Sequence, residues 1–147
     1  MVSGVYIDSG ILVKLYATEI NTPEAISLVF SFTTPLPLTH FQELEVRNAL
    51  RLKQGRGELT ERETTLALGD FQTDIRAGRY ERPAYDLAAV FARAEVLSRN
   101  HAVPTKCRSL DVLHVAAAME IGSREFASFD ERQRGMVRAA GLRVLPT

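Results

Sequence analysis

Short β-rich segments in this chain run straight into stretches of helical spacing, and that alternation leaves few folds open. Residues 2–7 are apolar and β-rich, and Asp8-Ser9-Gly10 follows at once; Ile11, Leu12, Leu15 and Tyr16 then recur at helical intervals. Leu36-Pro37-Leu38-Thr39 reads as a second short strand, its prolines pointing to an edge or an irregular start. Helices are predicted over residues 22–30, with Pro23 in the first turn, and over 40–54, where Gly55-Arg56-Gly57 stops the pattern. Thr60-Glu61-Arg62-Glu63 is a capping box opening a helix that reaches Ala77 before Gly78, so residues 40–77 make an αα-hairpin. Residues 80–82 form a minor strand, and Pro83 opens a helix through Arg99. Residues 109–121 form a helix that is apolar nearly all round and therefore buried. A strand over 125–129, a helix over 130–140 and a strand over 142–145 complete the chain. Strands alternating with helices imply a parallel sheet covered on both faces. The expected class is α/β, a three-layer α/β/α sandwich with a central parallel sheet and a protruding helical hairpin.

A chain of 147 residues matches one domain and can bury a real core, so residues 1–147 are read as a single domain. With 46% hydrophobic and 24% charged residues the composition is globular, and repeats and low-complexity tracts are absent. Basic and acidic residues balance at 18 each, which excludes a strong overall field but not a local patch. The single cysteine, Cys107, excludes an internal disulfide and a four-cysteine zinc site, and a reducing, cytoplasmic setting is expected. The first residues show no basic leader or signal-length apolar run. The apolar stretch 112–119 is far shorter than the ~20 residues that span a bilayer, so no membrane association is expected.

The acidic residues carry the functional reading. In an open parallel sheet, ligands bind beyond the carboxyl ends of the strands. Asp8 follows the first strand, Asp130 follows Phe126-Ala127-Ser128-Phe129, and Asp111 lies in the first turn of the buried helix. Each has an ordinary explanation: Asp8 as a helix cap, Asp130 in a capping box with Gln133, Asp111 favoured by the helix dipole. A parallel sheet would nonetheless gather all three at one edge. Inside the 39–54 helix, Glu43 has Arg47 four residues on, a surface ion-pair spacing, whereas Glu45 has Ala49 there and Phe41 four residues before. Glu45 thus borders an apolar stripe with no intrahelical partner, and a metal ion is one way to relieve a buried carboxylate. Several carboxylates without cysteine suit a hard cation such as Mg²⁺ or Mn²⁺. Such a site binds phosphate oxygens, activates water and stabilises a leaving oxygen, which is the chemistry of phosphodiester hydrolysis.

The chain resembles the PIN-domain ribonucleases, and most closely the VapC-type toxins of bacterial toxin–antitoxin pairs. The matching stretches are Tyr6-Ile7-Asp8-Ser9-Gly10-Ile11-Leu12-Val13-Lys14-Leu15-Tyr16 and Glu43-Leu44-Glu45-Val46-Arg47-Asn48-Ala49-Leu50. Ser109-Leu110-Asp111-Val112-Leu113-His114-Val115-Ala116-Ala117-Ala118, Phe126-Ala127-Ser128-Phe129-Asp130-Glu131-Arg132-Gln133 and the closing Ala140-Gly141-Leu142-Arg143-Val144-Leu145 continue it in order. The resemblance implies a PIN-like nuclease fold in which Asp8, Glu45, Asp111 and Asp130 are the catalytic, metal-binding quartet. Asp8 and Asp111 would ligate the metal directly, and Glu43 would replace Glu45 if the motif were shifted by two residues. Ser9 keeps a hydroxyl where the family commonly has Thr or Ser. The resemblance further implies an RNA substrate, tRNA or ribosomal RNA, a homodimer, and a cognate VapB-type antitoxin that blocks the groove, with the 40–77 hairpin carrying much of that contact.

RNA requires basic groups near the acids, and Lys14, Arg47, Arg51, Arg56 and Arg108 flank the acidic motifs. His114, three residues after Asp111, is either a substrate contact or a packed helix histidine. The main alternative is a PIN-like RNA- or protein-binding module without catalysis, against which the intact quartet argues. A haloacid-dehalogenase-type phosphatase would need an acid where Gly10 stands, and a receiver domain an acidic pair near the N-terminus. No Gly-x-Gly-x-x-Gly follows the first strand, which removes a dinucleotide-binding domain.

Overall fold

The computed structural model describes residues 4–147. Along the chain the elements are β1 (Val5–Ile7), α1 (Ser9–Val13), α2 (Thr22–Phe30), β2 (Leu36–Pro37), α3 (His40–Gly55) and α4 (Glu61–Arg76). They continue with β3 (Tyr80–Glu81), α5 (Leu87–Thr105), α6 (Ser109–Glu120), β4 (Glu125–Ala127), α7 (Glu131–Ala139) and β5 (Arg143–Leu145). The chain divides into two compact units, residues 9–82 and residues 4–8 with 83–147. The strand expected from Val2 is seen as Val5–Ile7; residues 1–3 lie outside the described residues.

In the first unit, Thr39 and Thr60 each close a reciprocal capping box, with Gln42 and Glu63 respectively, so both helices of the hairpin start at a defined residue. Gly57, at φ 77°, supplies the left-handed conformation that lets the Glu58 N–H return to the Lys53 carbonyl at 2.8 Å and end α3. Val46, Leu50 and Phe71 are fully buried between the two helices and their neighbours. Phe71 takes Tyr16 and Tyr80 edge-on at 5.2 and 5.7 Å. The helix expected through Tyr16 stops at Val13 and tightens into i→i−3 bonds, Lys14 to Ile11, Leu15 to Leu12 and Tyr16 to Val13.

In the second unit β4 lies between β1 and β5, all parallel, with Tyr6 opposite Phe126 and Phe126 opposite Val144. Tyr6 and Phe126 stack at 5.1 Å. Helix α6 is buried from Val112 through Ala118, as its apolar circumference requires, and it packs against α5 and α7.

Every strand pair is parallel, which is the α/β class the alternation predicts. The described strands form a three-stranded and a two-stranded sheet instead of one ladder. Leu36 and Leu38 donate to the β3 side at 3.0 Å, while Pro37 between them has no N–H to offer another neighbour, so β2 serves as an edge. Helix α5 starts at Leu87, not at Pro83, because the Asp86 carboxylate accepts the Ala88 N–H at 2.9 Å and fixes the cap there. It also runs past Arg99 and includes Pro104 in its last turn, where Lys106 ends it in a left-handed conformation. Among the described residues, no helix is long and apolar enough to cross a membrane.

Candidate functional site

Three of the four acids singled out in the sequence belong to the second unit. Asp8 follows β1 directly, and its N–H donates to the Ala127 carbonyl at 2.9 Å, extending the β1–β4 ladder by one residue. Asp111 lies in the first turn of α6, and both Asp8 and Asp111 are half-buried. Asp130 is exposed and caps α7, accepting the Gln133 N–H at 2.9 Å. The expected capping box there is only half formed. The Gln133 amide oxygen accepts the buried Ser128 hydroxyl at 2.7 Å, and the Asp130 N–H donates to that same hydroxyl at 3.0 Å. Ser128 therefore takes the place that the Gln133 side chain would have filled.

Cys107, half-buried just before α6, registers these acids together. Burial pushes its thiol up to about 12, and the negative fields of Asp111, Asp130 and Asp8 add to that in decreasing order. Three carboxylates from distant stretches of chain thus act on one thiol. The carboxylate oxygens of Asp8, Asp111 and Asp130 are donors of the kind suited to a hard divalent cation. Among the described residues, no group of three or more His, Cys, Asp or Glu side chains forms a ready-made metal cage.

The two acids of α3, both in the first unit, have different surroundings. Glu43 forms an ion pair with Arg47 at 2.5 Å and another with Arg82. Burial alone would raise its carboxyl, but the hydrogen bonds from Arg47 and Arg82 hold it below the usual carboxylate range. Glu45, half-buried, accepts the Ser9 hydroxyl at 2.7 Å, so the residue after Asp8 is tied to the carboxylate chosen from the helical pattern.

The basic candidates are mostly engaged. Arg47 also donates to Gln72 at 2.7 Å and lies over the Phe71 ring at 5.4 Å. Lys14 pairs with Glu19 at 3.1 Å and Arg56 with Glu58 at 3.0 Å, while Arg51 and Arg108 are exposed. His114 is 2% exposed, its Nδ1 2.6 Å from the Tyr6 hydroxyl, which makes it a packed helix histidine. Sequence reasoning did not find Ser128 or Arg134. The Arg134 guanidinium donates to the carbonyls of Ser128 at 2.8 Å, Leu145 at 3.1 Å and Pro146 at 2.8 Å. It fastens the turn that carries Asp130 to the end of β5, and no short-range pattern marks a link of that kind.

No family model matches the sequence, and no curated protein matches it. Among solved structures, the chain is similar to the crystal structure of FitAcB from Neisseria gonorrhoeae, with a TM-score of 0.69 at 18% sequence identity. The match covers 95% of this chain and 95% of that one. At that identity the likeness is one of fold, and it agrees with the α/β architecture expected from the order of the elements.

Proposed function

We propose that the chain is a single PIN-like nuclease domain, an endoribonuclease that depends on Mg²⁺ or Mn²⁺ and hydrolyses RNA phosphodiester bonds. The observation that carries this reading is the placement of three carboxylates within the second unit: Asp8 directly after β1, Asp111 in the first turn of α6 and Asp130 capping α7. By the resemblance in the sequence, Asp8, Glu45, Asp111 and Asp130 would be the residues that hold the ion. The ion, when bound, supplies charge neutralisation at the scissile phosphate and lowers the pKa of water. Ser9 orients Glu45 through its hydroxyl, and Ser128 holds the Asp130 backbone. The Glu43 carboxylate, taken up by two arginines, serves the fold of α3. By the resemblance in the sequence, the substrate is tRNA or ribosomal RNA, and the activity is that of a toxin acting as a homodimer and restrained by a VapB-type antitoxin.

Incubating the protein with total tRNA and rRNA in Mg²⁺, Mn²⁺ or chelator, with cut ends mapped by sequencing, tests this reading. Discrete cuts are expected that vanish with chelator, in Asp8→Asn and in Glu45→Gln, but persist in Glu43→Gln. Cutting that survives Glu45→Gln and is lost in Glu43→Gln moves the fourth ligand. Tight RNA binding with no cutting under any metal replaces the nuclease reading with that of a binding module.

A further inference from the structure

A cavity of about 440 Å³ in the first unit is lined by Lys14, Thr18, Glu19, Ile20, Lys53 and Glu58, among others. Two ammonium groups meet one carboxylate there. Lys53 reaches one Glu19 oxygen at 2.5 Å and Lys14 reaches the other at 3.1 Å. The Lys53 side chain is only 9% exposed and that of Lys14 only 16%. Glu58 does not balance the second lysine, because it pairs with Arg56 at 3.0 Å. Two ammonium groups, each at the end of a largely buried stem, therefore share the single Glu19 carboxylate. Burying a lysine costs side-chain entropy and desolvation, and packing alone would be better served by Leu or Met. Each ammonium has three donors and gives one to Glu19, so four remain for a ligand or water.

The Glu19 side chain is the only part of that residue free to leave. Its N–H donates to the Thr22 hydroxyl at 2.8 Å, and its carbonyl accepts the Thr22 N–H at 3.3 Å, which pins its backbone before α2. Burial alone would raise the Glu19 carboxyl, yet the hydrogen bonds from Lys53 and Lys14 hold it below the ordinary range, so it sits there as an anion.

We infer that Lys14 and Lys53 form a subsite for a phosphate oxyanion, a phosphodiester of the single-stranded RNA backbone, and that the Glu19 carboxylate occupies it until RNA displaces it. This subsite rests on the nuclease reading for its ligand and deepens it. It makes a prediction that a structural strap does not. Neutralising a lysine weakens binding, whereas neutralising Glu19 strengthens it, because the competing anion is gone.

The test is fluorescence anisotropy of a labelled, mixed-sequence single-stranded RNA, with the full chain in chelator so that no cleavage intervenes, over a range of salt. Lys14→Gln and Lys53→Gln should each bind about 5–10-fold more weakly, with the log–log salt slope shallower by about 0.7–1. Glu19→Gln should bind several-fold more tightly. If Lys53→Gln fails to fold in a thermal melt, Lys14→Gln and Glu19→Gln decide the matter. A parallel arm adds inorganic phosphate and reads the melting temperature. Stabilisation by phosphate that needs both lysines, with RNA affinity equal in all variants, overturns the RNA backbone as the ligand. Equal behaviour of all variants towards both probes overturns the subsite and leaves Glu19 as a strap. Cleavage of the same RNA by the unmodified chain in Mg²⁺ is scored separately, so either reading can fail while the other stands.

Discussion

Replacing Arg134 by Met keeps an apolar stem of similar reach and removes three hydrogen bonds from a charged donor. Those bonds end on the carbonyls of Ser128, Leu145 and Pro146. The Leu145 carbonyl keeps a donor, since the Ser128 N–H also reaches it at 3.0 Å. The Ser128 and Pro146 carbonyls each lose their bond to the guanidinium, and a hydrogen bond to a charged group is worth about 1.5–3 kcal/mol. Two effects reduce the sum. Water can replace the donor at half-buried Pro146, and the Arg134 Nε, buried without a hydrogen-bond acceptor and 3.6 Å from Glu131, no longer has to be desolvated. A net loss of about 3 kcal/mol remains, which for a chain of this size lowers Tm by about 6–12 °C. Urea unfolding followed by far-UV circular dichroism and by tyrosine fluorescence measures it, coincident transitions certifying a two-state comparison. Arg134→Lys separates the fork from the charge, because one ammonium cannot serve three carbonyls as a planar guanidinium does, and it should recover less than half of the loss. A loss below about 1 kcal/mol for Arg134→Met, or wild-type stability for Arg134→Lys, refutes the reasoning.

Tyr6→Phe removes a fully buried hydroxyl bonded to His114 and should cost about 1–3 kcal/mol in urea unfolding, whereas a change within 0.3 kcal/mol would mean that the contact is energetically idle. Glu19 and Glu43, held below the ordinary carboxylate range by Lys53 with Lys14 and by Arg47 with Arg82, titrate near about 4.3 once unfolded. Their folded values are the lower ones, so their contribution is complete above about pH 4.3 and is lost as pH falls through the folded values. Unfolding midpoints measured from about pH 6 down to pH 2.5 should drop on that acid limb, and the drop should flatten in Glu43→Gln; an unchanged acid limb in that variant rules out the ion-pair account.

Much of the fold was legible because its signals are local. The Thr60–Glu63 box, the glycines after residue 54 and the apolar circumference of 109–121 each act within a few residues, and the helices stand where those signals put them. What the sequence hid depends on partners far along the chain. Pro83 is a fair helix opener, but Asp86 offers the N–H groups a real acceptor and wins. Gln133 has the spacing to close a box with Asp130, but the Ser128 hydroxyl, brought round by the strand-to-helix turn, reaches its amide first. The Glu19–Lys53 pair joins a turn to a distant helix and carries no periodic trace at all.

Helix α3 shows how geometry separates two like side chains that sequence leaves side by side. Glu43 and Glu45 are two residues apart and so point about 200° apart around the helix. The i,i+4 rule assigns Arg47 to Glu43, and the fold adds Arg82, which is compensation enough for a half-buried carboxylate. The same rule gives Glu45 no basic residue on its own helix, and its carboxylate accepts the Ser9 hydroxyl at 2.7 Å. A hydroxyl orients a carboxylate without bringing the charge of a guanidinium, so the fold gives the two acids of one helix different kinds of partner. The double pairing of Glu43 therefore counts against it for the proposed metal on grounds independent of any motif, and the Ser9 hydroxyl ties Glu45 to the residue immediately after Asp8.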